Sequence, residues 1–95
     1  MFILVCCGAG LGSSYMVQMN VEKILKELGI EAEVDHSDLS TAKAYKADIY
    51  MTTHDMAQFL EDVDAEVVLL NNIIDLKELK EKLLVGMENV KKKKQ

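Results

Sequence analysis

The sequence predicts an α/β fold in which a four-stranded parallel sheet carries helices on both faces. Two observations lead to this prediction. Short apolar runs alternate with amphipathic segments along the chain, which is typical of successive strand–helix units. The runs at residues 2–6 and 67–70 are continuously apolar, as in parallel strands that are buried on both faces. With 95 residues, the chain is expected to form one domain over residues 1–95 around one modest core.

The first strand is predicted at residues 2–6, and a glycine-rich segment follows it directly. Ser13 or Ser14 is expected to cap the next helix, because a serine hydroxyl accepts hydrogen bonds from first-turn amides. Gly29 is expected to end this helix. Between these points, apolar residues recur at helical spacing, namely Val17, Val21, Ile24 and Leu28.

The second strand is predicted from alternating apolar and acidic residues over residues 30–36, a pattern typical of a half-buried strand near a sheet edge. His36 ends this predicted strand, and we expect it to be solvated. A short helix is then expected to begin after Asp38 or Ser40 and to end near Tyr45.

The second half of the chain repeats the alternation of strand and helix. A third strand is predicted at residues 48–53, and a helical stripe over residues 55–61 contains Met56, Phe59 and Leu60. The fourth strand, at residues 67–70, ends at Asn71 and Asn72, for which we expect a role in a turn.

Asp75 is expected to cap the last helix, which has apolar residues at 3-4-4-3 spacing. Residues 91–95 are expected to be a basic tail that frays, with contact to anionic lipid beside a membrane partner as the alternative. The apolar residues of the stripe are Leu76, Leu79, Leu83, Met87 and Val90.

Right-handed crossovers between successive strands give an expected strand order of 2-1-3-4, a Rossmann-like arrangement. In such sheets, ligands bind outside the carboxyl ends of the strands, at the switch point beside the first strand. Cys7 follows the first strand and lies at this point. Cys6 continues the buried strand, so we expect it to be part of the core.

The charge distribution argues against nucleic acid as a partner. The net charge is −5, and four of the eleven lysines lie in the terminal run Lys91–Lys94, so residues 1–90 carry seven lysines against sixteen acidic residues. Residues 1–21 carry no charged side chain, yet glycines interrupt the apolar run after Cys7 and no basic segment precedes it. We therefore expect a cytoplasmic protein without membrane insertion.

The segment Cys7–Ser14 combines a nucleophile with a predicted anion-binding loop. Its glycines allow successive N–H groups to turn inward, and the following helix start adds unpaired donors and partial positive charge. We expect this setting to lower the pKa of the Cys7 thiol and to favour phosphoryl transfer to sulfur. The residues expected to bind phosphate are Gly8, Ala9, Gly10, Leu11, Gly12, Ser13 and Ser14.

Other interpretations of this segment remain open. The glycines could form only a tight turn with Cys7 as a small core residue, or the loop could bind an anion in a regulatory module without catalysis. A phosphatase loop would place an arginine six residues after Cys7, where the chain has Ser13, and the sequence contains no arginine. The glycine spacing matches a dinucleotide-binding motif poorly, and a Cys-x-x-Cys redox motif is absent.

Cys7–Ser14 resembles the phosphocysteine loop of enzyme IIB components of the bacterial sugar phosphotransferase system, and its form is closer to the galactitol and ascorbate type than to the lactose and chitobiose type. Strand order, length and loop position agree with this family over essentially the whole chain. The resemblance implies a phosphohistidine–sugar phosphotransferase. It would take phosphate from enzyme IIA onto Cys7 and pass it to a sugar or polyol bound by membrane enzyme IIC.

His54 follows the third predicted strand and is a possible auxiliary residue at the same end of the sheet. It could steady the phosphate or aid proton movement, or it could be a surface residue at a helix start. The transfer itself needs no metal, and no cofactor is expected.

Overall fold

The computed structural model describes residues 1–7, 11–72 and 75–93. The strands and helices of these residues follow the predicted alternation. In chain order they are β1 (Phe2–Cys7), α1 (Leu11–Leu28), β2 (Glu33–Asp38), α2 (Leu39–Ala42) with a 3-10 turn at Lys43–Tyr45, β3 (Ile49–Thr53), a 3-10 helix at His54–Leu60, β4 (Glu66–Leu70) and α3 (Leu76–Lys93).

All three strand pairings are parallel, and the sheet order is β2-β1-β3-β4, which confirms the predicted order. β1 is therefore central, with β2 on one side and β3 on the other. Its pairing with β2 runs in register from Phe2 opposite Glu33 to Cys7 opposite Asp38. β1 and β2 thus end side by side, with Cys7 opposite Asp38.

Two apolar clusters cover the two faces of the sheet. On one face, α1 and α3 pack on strand residues such as Ile3 and Ile49. On the other face, α2 and the 3-10 helix at His54–Leu60 cover Leu4 and Tyr50. Helices on both faces were predicted, because strands this apolar must be buried from both sides.

Gly29 ends α1 as expected, with a positive φ of 69°. Its N–H donates to the carbonyl of Lys26 at 3.2 Å, and the N–H of Ile30 donates to the carbonyl of Leu25 at 2.9 Å. These two bonds form a Schellman motif, which satisfies carbonyls that the helix end would otherwise leave unpaired.

The same motif explains why the predicted bounds of the second strand are wrong. The strand begins at Glu33 rather than at residue 30, and it continues to Asp38. The N–H of Ile30 is already bonded to the end of α1, so it cannot join the sheet. Ile30 and Ala32 still pack against the core from outside the strand.

The predicted apolar stripes of the helices are buried at their central positions, as expected, but exposed at some of their end positions. Val17, Val21 and Ile24 are buried on α1, but Leu28 at its end is exposed, as is Leu76 at the start of α3. Phe59 is also exposed, although the sequence placed it on a stripe with Leu60. This segment is a 3-10 helix with three residues per turn, in which Phe59 aligns with Met56 and lies about 120° around the axis from the buried Leu60.

α3 packs closely on the edge strand β4. A Cβ atom added at Gly86 would lie 2.7 Å from a methyl carbon of Val68. Asp75 caps the helix as predicted, because its carboxylate accepts hydrogen bonds from the N–H groups of Lys77 and Glu78 at 3.0 and 3.2 Å. Lys91–Lys93 belong to the helix, while Lys94 and Gln95 lie outside the described residues.

Candidate functional site

Cys7 is the last residue of the central strand β1, at the carboxyl edge of the sheet. The strands on either side end at the same edge, β2 at Asp38 and β3 at Thr53. Ligands of parallel α/β sheets bind at this edge, where neighbouring connections leave on opposite faces. The backbone of Cys7 thus occupies the position that the sequence predicted for the nucleophile.

The predicted phosphate-binding residues fall into two groups. Gly8, Ala9 and Gly10 lie outside the described residues. Residues 11–14 form the first turn of α1, whose backbone is described. The first turn of a helix has N–H groups without intrahelical acceptors, and this turn contains no acidic residue to compete for them.

The prediction that Ser13 or Ser14 caps this helix is wrong. α1 begins at Leu11, so both serines already lie within its first turn and neither can precede it. A helix needs no capping hydroxyl to start, because its first four N–H groups can be satisfied by water or by a ligand. The start of α1 therefore lies closer to Cys7 in sequence than predicted.

Asp38 caps α2 and is held by several hydrogen bonds. Its Oδ1 atom accepts from the N–H of Thr41 at 3.0 Å, the hydroxyl of Thr41 at 2.8 Å and the hydroxyl of Ser40 at 2.8 Å. These bonds, first among them the one from the Thr41 side chain, lower the pKa of the Asp38 carboxyl below its usual value. The carboxylate is consequently ionised at neutral pH.

His36 differs from its prediction as a solvated residue at a strand end. It lies inside β2, with 27% of its side chain exposed, and its ring centroid is 5.4 Å from that of Tyr15 on α1. Its Nδ1 atom is hydrogen-bonded to Oε1 of Gln18. The error followed from the strand bounds, since β2 runs two residues further than predicted.

His54 begins the 3-10 helix that follows β3, and its side chain is exposed. β3 neighbours β1, so His54 and Cys7 belong to adjacent connections at the same edge of the sheet. Cys6 is buried in the cluster beneath α2, as predicted for a core residue.

Asn71 and Asn72, after β4, have the structural role in a turn that the sequence predicted. The carboxylate of Glu78 accepts hydrogen bonds from both backbone N–H groups and from the Asn71 side-chain amide, each at 2.9 Å. These bonds, the one from the Asn72 backbone being the strongest cause, lower the pKa of the Glu78 carboxyl.

Two properties of the described residues concern membranes and metal ions. None of the described helices combines the length and apolar character that crossing a bilayer requires. Among the described side chains, no group of three or more His, Cys, Asp or Glu residues is arranged to hold a metal ion.

Comparisons with known proteins agree with this geometry. The model of the family "PTS system, Lactose/Cellobiose specific IIB subunit" matches residues 2–84. The ascorbate-specific PTS system EIIB component of Mycoplasma pneumoniae is 34% identical over 84 residues, which cover 85% of this chain and 88% of that protein. The lactose-specific IIB component domain from Streptococcus pneumoniae superposes with a TM-score of 0.59 at 15% identity, covering 93% of this chain and 95% of that one, and this likeness supports the fold alone.

These matches define a phosphotransferase component of a sugar uptake system, the class that the sequence resemblance implied. The chain belongs to the PTS IIB family. It is therefore an EIIB component, a phosphoryl carrier in sugar uptake, and the partners of this family are the PTS components EIIA and EIIC.

Proposed function

We propose that this chain accepts a phosphoryl group on the Cys7 sulfur from a phosphohistidine of EIIA. It then passes the group, on the cytoplasmic side of the membrane, to a sugar or polyol bound by EIIC. The observation that carries the proposal is the position of Cys7 at the end of β1, four residues before α1 begins. At such an edge, the thiolate can attack the phosphorus while the N–H groups of the helix start bind the phosphoryl oxygens.

The first transfer is a displacement at phosphorus. The Cys7 thiolate attacks in line with the N–P bond, an S–P bond forms, and the electron pair of the N–P bond stays on the imidazole nitrogen. The backbone amides of residues 8–14 are proposed to bind the phosphoryl oxygens, supplying the charge stabilisation that such transfers require. His54 is proposed as an auxiliary residue at this edge.

In the second transfer, a hydroxyl of the acceptor attacks the phosphocysteine, the S–P bond breaks, and Cys7 is released as thiolate. The curated relative with 34% identity is ascorbate-specific. We therefore propose ascorbate as the first acceptor to test, in the presence of the matching EIIC.

Incubation with a phosphohistidine form of EIIA tests the carrier assignment, with intact mass and peptide mapping as readouts. We expect one phosphoryl group on wild-type protein, located on Cys7. Cys7→Ser should abolish phosphocysteine formation, whereas Cys6→Ala should retain most of it, because Cys6 is a core residue. A label on Cys6 or on His54 would overturn the assignment of Cys7.

A further inference from the structure

Asp38 is the register partner of Cys7 at the ends of two neighbouring parallel strands. Adjacent strands of a sheet lie about 4.8 Å apart, so the two backbones are close where both leave the sheet. Asp38 is exposed to solvent, and it lies at the same carboxyl edge of the sheet at which the phosphocysteine is proposed to form.

The charge of Asp38 is fixed in place. Three hydrogen bonds converge on Oδ1, two from Thr41 and one from Ser40. The Thr41 hydroxyl is itself 2.5 Å from the hydroxyl of Ser37, which is buried beside β1. This network orients the carboxylate and holds its charge at the end of β2.

We infer that Asp38 raises the transfer potential of the phosphoryl group on Cys7 by electrostatic repulsion, an inference that rests on the proposed function. Phosphocysteine carries a charge of about −1.5 to −2, whereas the free thiolate carries −1. Phosphorylation therefore increases the negative charge beside Asp38, and the repulsion favours the state in which the phosphoryl group has left.

The opposing contribution comes from α1. Its N-terminus carries partial positive charge and favours the phosphorylated state. A carrier must hold the phosphoryl group during diffusion and still release it to the next acceptor. Asp38 and the start of α1 thus act on the phosphoryl group of Cys7 with opposite electrostatic sign. In this role, the charge of Asp38 repels the phosphoryl group on Cys7, and Asp38 makes no bond to the reacting atoms.

The test is the equilibrium constant for phosphoryl exchange between EIIA and this chain, measured for wild-type protein and Asp38→Asn. Asparagine is also a good N-cap, so the start of α2 is retained while the charge is removed. We expect the variant to favour the phosphorylated form about twofold to threefold at an ionic strength of about 0.1 M. The difference should disappear near 1 M, where the Debye length falls to about 3 Å.

Glu78→Gln is the matched control. Glu78 is likewise a hydrogen-bonded carboxylate that holds a loop in place, although it is half-buried, and its loop follows β4, two strands away from β1. Its neutralisation changes the net charge equally and should shift the exchange constant less. An equal shift in both variants, or a shift in Asp38→Asn that salt does not reduce, would leave Asp38 as a helix cap and overturn the inference. Failure of wild-type protein to form phosphocysteine would instead reject the proposed function.

Discussion

The side-chain amide of Gln18, on α1, donates a hydrogen bond from Nε2 to the carbonyl oxygen of Val34, on β2, at 3.0 Å. The N–H of Glu33 points to the side of β1 and donates to the carbonyl oxygen of Met1, the residue before β1. The backbone groups of the next residue, Val34, therefore point to the free edge of the sheet. Gln18 also accepts a hydrogen bond from Nδ1 of His36 through Oε1. One side chain therefore satisfies an edge carbonyl and orients a histidine.

These bonds predict the tautomer of His36. A carbonyl can only accept, so Gln18 must donate with Nε2 to Val34 and accept with Oε1. His36 must then carry its proton on Nδ1, and long-range ¹H–¹⁵N spectra of the neutral imidazole should show this tautomer. Gln18→Leu should lose this preference and destabilise the fold by about 1–2 kcal/mol in urea unfolding. Gln58→Leu, at an exposed position, is the control; a neutral imidazole protonated on Nε2 would contradict the prediction.

The elements of this fold could be predicted from the sequence, because each leaves a local pattern. Continuous apolar runs predicted β1 and β4, and Gly29 predicted the end of α1. The contacts that these elements make with one another near the site have no such local sequence pattern. The pairing of Cys7 with Asp38 depends on the register between strands separated by a whole helix, and the contact of Gln18 with His36 depends on how α1 lies on the sheet. Both are set by tertiary packing rather than by local sequence.

Gly86 is expected to be required for the packing of α3 on β4. A methyl group there would lie 2.7 Å from Cγ2 of Val68, whose branched side chain has little rotational freedom. Gly86→Ala should therefore destabilise the fold by about 1–2 kcal/mol, although alanine favours helices over glycine. In a double-mutant cycle, Val68→Ala should recover part of this loss by making room for the methyl. Additive effects of the two substitutions would contradict a direct steric conflict.

Glu78 is expected to contribute to stability at neutral pH and not in acid. Its pKa is lowered in the folded protein by hydrogen bonds from the N–H groups and side-chain amide at Asn71 and Asn72. A group whose pKa is lowered by folding stabilises the fold above its unfolded pKa, and this contribution is lost as the pH falls through the folded pKa. Glu78→Gln should thus lower stability at pH 7 and reduce its decline in acid. An unchanged pH profile of unfolding would contradict the prediction.

Leu11 and Tyr15 are expected to contact EIIA around Cys7. Tyr15 is 52% exposed, and Met16 and Met19 on the same helix are exposed as well, which gives residues 15–19 of α1 an exposed, uncharged surface. Such a surface can exclude water from the phosphorus during transfer. Leu11→Glu and Tyr15→Glu should slow transfer about tenfold at limiting EIIA without loss of fold.

Val85→Glu is the control for this docking surface. Val85 is also exposed and apolar, but it lies on α3 beside the free edge of β4. The rate of phosphoryl transfer should be measured against EIIA concentration, with unfolding curves to check the fold. Equal rates for wild-type protein and the Leu11 and Tyr15 variants would remove this surface from the interface.

The last prediction separates a carrier from a phosphatase. A cysteine phosphatase stabilises the phosphoryl charge with an arginine and uses an acid to protonate the leaving group. This chain has no arginine, and Asp38 beside Cys7 is ionised at neutral pH, since its pKa is lowered by hydrogen bonds, first of all from the Thr41 side chain. We therefore expect no appreciable hydrolysis of aryl phosphates, together with a phosphocysteine that persists long enough for mass spectrometry. Steady turnover of an aryl phosphate that Cys7→Ser abolishes would show that hydrolysis does not need these groups here.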